Sequence, residues 1–191
     1  MRGSDLPPGA RYLPGVLAPE DAAGHLAALV AETPWEAHTF TIFGRTVPMP
    51  RLIQMYGPHG YDYSGVQHRP RALTPRLEAL LAAVSAAAGV PFNSVLLNLY
   101  RDGHDAMGWH SDDDYPHGGH PAVGSLSLGA ARRFRFRPKG RPGASVGLVL
   151  ESGSVLVMDG EARVEWQHSL PRTARPVGPR VNLTFRFMTG S

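Results

Sequence analysis

A chain of 191 residues is long enough to bury one substantial core, whereas two domains would each be small. With 42% hydrophobic and 18% charged residues the composition is that of a globular protein, no apolar run approaches the length of a membrane span, and no basic-then-apolar leader opens the chain. The absence of cysteine removes disulfides and every thiolate metal or redox site, and a net charge of +3, carried almost wholly by arginine because Lys139 is the only lysine, permits a polyanionic partner without requiring one. These properties lead us to expect a cytoplasmic protein without a membrane partner.

Residues 1–15 are rich in Gly and Pro and read as a loose lead-in. Pro19 to Val30 reads as a helix, with Pro19 in its first turn, acidic Glu20 and Asp21 near its positive end, and Leu26, Leu29 and Val30 on one side. Thr39 to Met49 reads as a hairpin with Phe43-Gly44-Arg45 at its turn. A phenylalanine at such a tip either meets solvent or folds back on the core, and the pattern does not decide. Thr74-Pro75 opens a clearer helix: a hydroxyl N-cap, then proline at the first helical position, then Leu77, Leu80, Leu81 and Val84 at helical spacing, with Gly89 as the stop before Pro91.

Beyond Gly89 the texture changes to short alternating segments: Val95 to Tyr100, Ser125 to Leu128, Arg133 to Arg137, Val146 to Leu150, Ser154 to Met158 and Val181 to Met188, with Gly/Pro-rich turns between them. Helices followed by many strands predict an α+β fold built on a mainly antiparallel sandwich or barrel.

The last of these segments carries chemistry. Successive strand residues point to opposite faces, so Val181, Leu183, Phe185 and Phe187 line one face and Arg180, Asn182, Thr184 and Arg186 the other. A polar strand face ordinarily meets water, but this row of forks, amide and hydroxyl suits a small carboxylate, which a guanidinium meets with two parallel hydrogen bonds. Upstream, His110 and Asp112 stand two residues apart and can share a metal, with His168 supplied from a distant strand. Two imidazoles and a carboxylate are the facial triad of non-haem Fe(II) oxygenases, which leaves coordination positions open for co-substrate and oxygen. A zinc site of His110, His117 and His120 is the competing arrangement; it leaves His168 and the arginine strand without a role. Triad and strand together suggest an oxygenase that consumes a dicarboxylate.

The stretch from Asn98 through Trp109-His110-Ser111-Asp112-Asp113-Asp114 resembles the metal-binding region of AlkB-type dioxygenases. Gly124 to Ala130, Arg133 to Arg137, Gln167 to Arg172 and Pro179 to Arg186 follow in that family's order, and the likeness reaches back more weakly to Phe40. The resemblance implies a single domain over residues 1–191 with a double-stranded β-helix (jelly roll), N-terminal helices, a nucleotide-recognition region over 38–64 and a catalytic core over 93–189. It implies His110, Asp112 and His168 as Fe(II) ligands, Arg180 as the clamp on the distal carboxylate of 2-oxoglutarate, and Asn98, Tyr100, Asn182, Thr184 and Arg186 as the rest of that pocket.

The implied reaction uses O2 and 2-oxoglutarate to oxidise an N-alkyl group on a nucleobase, releasing succinate, CO2 and formaldehyde. Phe43-Gly44-Arg45, Val47 to Arg51 and Tyr61 to Gly65 look like the branch acting on double-stranded DNA, with single strands possible, where an apolar tip enters the stack as the target base flips out. Tyr61 and Tyr63 would then form the nucleotide pocket, with the base between Tyr63 and His110, and Asp113 and Asp114 would contact a cationic base. Arg132, Arg133, Arg135, Arg137, Lys139 and Arg141 would approach phosphates, and the protein is expected to be a monomer. The first forty residues and the loop Tyr115 to Pro121 match no family motif. RNA, protein or small-molecule substrates, or a non-catalytic nucleic-acid-binding module, are the alternatives.

Overall fold

A computed structural model describes residues 6–42, 44–59, 61–63, 66–68, 70–112, 122–141 and 143–189. The elements run β1 (Ala10–Leu13), α1 (Pro19–Glu32), β2 (Glu36–Ile42), β3 (Arg45–Tyr56), β4 (Tyr61–Tyr63), β5 (Val66–His68), α2 (Pro75–Ala88), β6 (Ser94–Tyr100), β7 (Met107–His110), β8 (Val123–Gly129), β9 (Arg132–Pro138), β10 (Val146–Leu150), β11 (Val155–Met158), α3 (Gly160–Val164), β12 (Trp166–Leu170) and β13 (Arg180–Arg186). Seven strands form a major sheet in the order β1-β11-β8-β13-β6-β3-β2, four form a minor sheet in the order β10-β9-β12-β7, and β4 pairs with β5 alone. Adjacent strands within both sheets pair antiparallel, which makes this the jelly-roll sandwich expected from the sequence.

The strand alternation assigns the two faces of the major sheet. Leu97 and Leu99 of β6, Leu126 and Leu128 of β8, and Val181, Leu183 and Phe185 of β13 pack with Leu29 of α1 and Leu77, Leu80 and Val84 of α2. The opposite face looks toward the minor sheet, and Tyr100, Leu156 and Met158 meet Phe134, Phe136 and Leu170 across the gap. Helix α2 starts where the sequence predicts: the Thr74 hydroxyl accepts from the Leu77 amide at 3.3 Å, and Gly89 ends the helix at φ +76°. Such a cap contributes about 1 kcal/mol. Full burial of Leu77 and Leu80 contributes roughly 1.5–3 kcal/mol each, so packing holds the helix and the cap sets its register.

Two expectations change. Residues 10–13, expected within a loose lead-in, form the edge strand β1, pairing Ala10 with Met158 and Leu13 with Val155. Gly9, at φ +83°, brings the chain in against the Asp159 carbonyl, so closely that a Cβ would collide with it. A short helix, α3, separates β11 from β12, where uninterrupted strands were expected. The polar face of β13, read from the sequence as a row suited to an anion, is turned away from water: all seven residues of the strand are buried, and Arg180, Asn182, Thr184 and Arg186 point into the space between the sheets.

Candidate active site

The space between the sheets holds a cavity that opens to solvent. His110 ends β7 and His168 lies in β12, and the two are direct partners across the β7–β12 ladder. Their rings sit edge to face with centroids 4.2 Å apart. Asp112 follows two residues after His110, and its Oδ2 lies 3.5 Å from His168 Nε2. One donor atom from each of the three falls within 4.8 Å of the others, the group of metal-binding side chains found among the described residues.

The surroundings fix the protonation this cluster needs. His110 Nδ1 lies 3.0 Å from the Gly108 carbonyl, which can only accept, so Nδ1 carries the proton and Nε2 keeps its lone pair. His168 stacks on Phe134, centroids 5.3 Å apart; burial lowers its pKa to about 4, against the pull of Asp112, and the ring is neutral at pH 7. Burial lowers His110 in the same sense. For Asp112 burial pushes the other way, but Arg186, His168 and His110 together outweigh it and hold the carboxyl well below its usual range. Arg186 Nη2 donates to Asp112 Oδ1 at 2.8 Å, which leaves Oδ2 on the histidine side. Two neutral imidazoles and one carboxylate, tied down from outside the cluster, are a donor set for a divalent transition metal.

The far wall suits an anion. Arg180, 1% exposed, donates from Nη2 to the Ser127 hydroxyl at 2.9 Å, and its guanidinium carbon stands 5.2 Å from the Tyr100 ring centroid. Burial lowers its pKa to about 10, so it remains a cation. No carboxylate pairs with it among the described residues, and its buried Nε lacks a partner. An enclosed cation without a counter-charge is costly unless an anion is meant to join it. The residues expected from the sequence to hold the co-substrate, Asn98, Tyr100, Arg180, Asn182, Thr184 and Arg186, all line this cavity, but they do not all offer free donors to it. Asn182 donates to Ser125 Oγ (2.8 Å) and the Leu126 carbonyl (3.1 Å), and the Thr184 hydroxyl donates back to Asn182 (3.2 Å). Their donors are engaged within the wall, so they brace it while Arg180 faces the cavity.

Sequence reasoning missed two buried arginines. Arg51 lines the cavity from β3 and donates from Nε to Asn98 Oδ1 at 2.8 Å; its signal was a cation at alternate spacing with Met49, Ile53 and Met55, buried hydrophobic positions. Arg163 of α3 donates from Nε and Nη2 to the Asp112 backbone carbonyl at 3.0 and 2.7 Å, a role with no local sequence signal.

Of the expected substrate residues, Gly44 and Arg45 lie wholly within the described part, at the β2–β3 turn. Ile42 pairs with Arg45, so the chain reverses between them, with Gly44 at φ +73° and both Gly44 and Arg45 exposed. Tyr61 and Tyr63 lie on β4, with side chains outside the described part. Phe43, Asp113 and Asp114 also lie outside the described residues. The arginine stripe needs one correction: Arg132 is 3% exposed and caps the carbonyls of Asp102, Asp105 and Pro171, because its strand parity turns it inward. Arg135 and Arg137 lie on the other face of β9, 5.4 and 4.3 Å over the Trp109 ring.

Residues 9–186 match the family model described as the 2OG-Fe(II) oxygenase superfamily. The chain is 36% identical over 182 residues to the Homo sapiens protein named alpha-ketoglutarate-dependent dioxygenase alkB homolog 3, covering 91% of this chain and 64% of that one. It is 40% identical over 154 residues to the Homo sapiens DNA oxidative demethylase ALKBH2, covering 76% and 59%. This chain thus spans somewhat less than two thirds of the length of these relatives. The solved structure of OsALKBH1 superposes with a TM-score of 0.72 at 19% identity, over 95% of this chain and 99% of that one, a likeness of fold.

Proposed function

Since this chain belongs to the 2OG-Fe(II) oxygenase superfamily, we propose that it is an Fe(II)- and 2-oxoglutarate-dependent dioxygenase that removes N-alkyl groups from nucleobases in DNA, with duplex DNA as the preferred form. The observation that carries this reading is the cavity itself, with the His110, Asp112 and His168 donors on one wall and the buried, acid-free Arg180 on another. Fe(II) with 2-oxoglutarate and O2 would supply oxidation of the N-alkyl carbon, after which the hydroxylated group leaves as formaldehyde or a higher aldehyde.

The residues of this chain do the holding. His110 and His168 offer neutral nitrogens at pH 7, so the metal need not displace protons from them. Arg186 keeps one Asp112 oxygen occupied and so favours one-point binding through the other. Arg180 would take the distal carboxylate of the co-substrate as a charge-assisted fork. Phe134, Met158 and Leu170 line the same cavity and limit water around the reacting carbon.

Support for a nucleic-acid substrate comes from outside the cavity. Arg133, Arg135 and Arg137 face away from the core on β9, and none is paired with an acid among the described residues. The β2–β3 hairpin projects past the cavity wall: Arg45 at its tip is six residues from Arg51, about 20 Å along an extended strand. The test is an assay for formaldehyde and succinate with Fe(II), 2-oxoglutarate and oligonucleotides carrying N-methylated bases, as single-stranded DNA, duplex DNA and RNA. Formaldehyde from methylated DNA, fastest from the duplex, is expected; release from RNA alone, or none from any oligonucleotide, would overturn the reading.

A further inference from the structure

We propose that Arg51 is a positioning residue for the co-substrate, acting through the side-chain amide of Asn98. The inference rests on the reading of the cavity as a 2-oxoglutarate site and adds a residue to it. Arg51 is 6% exposed and lies on the inner face of β3 next to β6, where Ile53 pairs with Asn98. Its Nε–H can only donate, so the group it meets at 2.8 Å is the Asn98 carbonyl oxygen. An asparagine amide can otherwise turn over at little cost, exchanging donor for acceptor. With Oδ1 pinned to Arg51, Nδ2 and its two N–H donors are directed away from β3, and Asn98 lines the cavity.

Asn182 is the direct partner of Asn98 across the β6–β13 ladder, yet its Nδ2 is already donating to Ser125 and Leu126. Asn98 Nδ2 has no partner among the described residues. Of the two amides, Asn98 is therefore the one that presents donors, and Arg51 determines that it presents donors and not an acceptor. Arg51 also has no acidic partner among the described residues, so it places a second buried cation beside a cavity that is to receive a dianion. Because the same residue belongs to the strand that descends from the hairpin tip, it links the hairpin to the co-substrate floor.

The experiment uses the whole chain with Mn(II) in place of iron, so that no turnover occurs, and reads the 2-oxoglutarate concentration giving half of the maximal thermal shift. Titration of methylated duplex DNA gives a separate affinity. Arg51→Met is expected to raise the half-saturating 2-oxoglutarate concentration about tenfold and to leave Mn(II) binding and DNA affinity within about twofold of the parent. Asn98→Ala should produce a similar loss, and the double variant should be little worse than Asn98→Ala alone, because one residue acts through the other. Asn98→Asp keeps the acceptor for Arg51 and adds an ion pair, so it is expected to fold; it removes the donors, and should bind 2-oxoglutarate at least as poorly as Asn98→Ala. Unchanged 2-oxoglutarate binding by Arg51→Met or Asn98→Asp overturns the proposal, as do fully multiplicative losses in the double variant. Weakened DNA binding with unchanged 2-oxoglutarate binding would make Arg51 a substrate residue and also overturns it. Failure of the parent protein to bind 2-oxoglutarate would remove the reading of the cavity together with the role of Arg51.

Discussion

Asp112 is gripped at both ends, its side chain by Arg186 and its backbone carbonyl by the fork of Arg163. A carboxylate held this way is oriented without any cation, so if Asp112 is a metal ligand its loss should be felt as lost metal and not as a disordered protein. Asp112→Ala and His168→Ala are expected to reduce turnover to a few per cent or less and to abolish stoichiometric Fe(II) binding, with far-UV circular dichroism unchanged. Normal iron content in either variant would remove that residue from the ligand set. Arg180 makes the opposite kind of prediction. Replacing it by Met should weaken 2-oxoglutarate at least tenfold, about 1.4 kcal/mol, while the ligand-free protein does not melt at a lower temperature, because a buried cation without an acid contributes little to the fold. A large drop in the ligand-free melting temperature would mean that Arg180 serves the core.

At the scale of elements, the β2–β3 hairpin separates the substrate possibilities. If Phe43 fills the space of a flipped base, its loss matters only where a stacked partner must be broken. Phe43→Ala should therefore lower kcat/KM on methylated duplex DNA much more than on the same lesion in a single strand. Tyr63→Ala should harm both substrates, since base–aromatic stacking of about 1–3 kcal/mol is lost either way. Equal losses for Phe43→Ala on the two would end the wedge hypothesis.

Elements with local signals were legible. Thr74-Pro75 and Gly89 marked α2, and the alternation of Val181, Leu183 and Phe185 gave β13 its two faces. What alternation cannot say is what lies opposite a polar face, and for β13 it is a second sheet. Strand β1 was hidden because four residues among Gly and Pro show too little pattern, and α3 because five residues are barely a helical turn. Arg51 and Arg163 escaped for a different reason: their partners lie 47 and 51 residues away, a separation no local periodicity encodes.

For the molecule as a whole, the buried histidines couple stability to pH. The folded His168 titrates near 4 where an unstructured histidine titrates at 6.5. Between those values the unfolded chain takes up a proton that the folded chain refuses, so stability is full above about pH 6.5 and falls as pH drops toward 4, by roughly 3 kcal/mol. His110 shifts in the same direction, and Asp112, held low, adds its own loss only below the ordinary carboxylate range. Urea midpoints of the metal-free protein at pH 7.5 and 4.5 should differ accordingly; identical midpoints would mean that these rings are solvated.

Strand β13 also bears on biosynthesis. It sits in the middle of the major sheet, between β8 and β6, yet it follows every other strand in the chain. During translation, β1-β11-β8 on one side and β6-β3-β2 on the other must wait as two separate half-sheets until β13 emerges between them. The residues that complete the cavity, Arg180 among them, arrive on that same strand. A nascent chain stalled before residue 180 would thus expose two apolar half-sheet edges, a natural client for chaperones. The ability to bind the dicarboxylate should appear only in the step that closes the sheet, which makes ligand capture a usable reporter of completed folding.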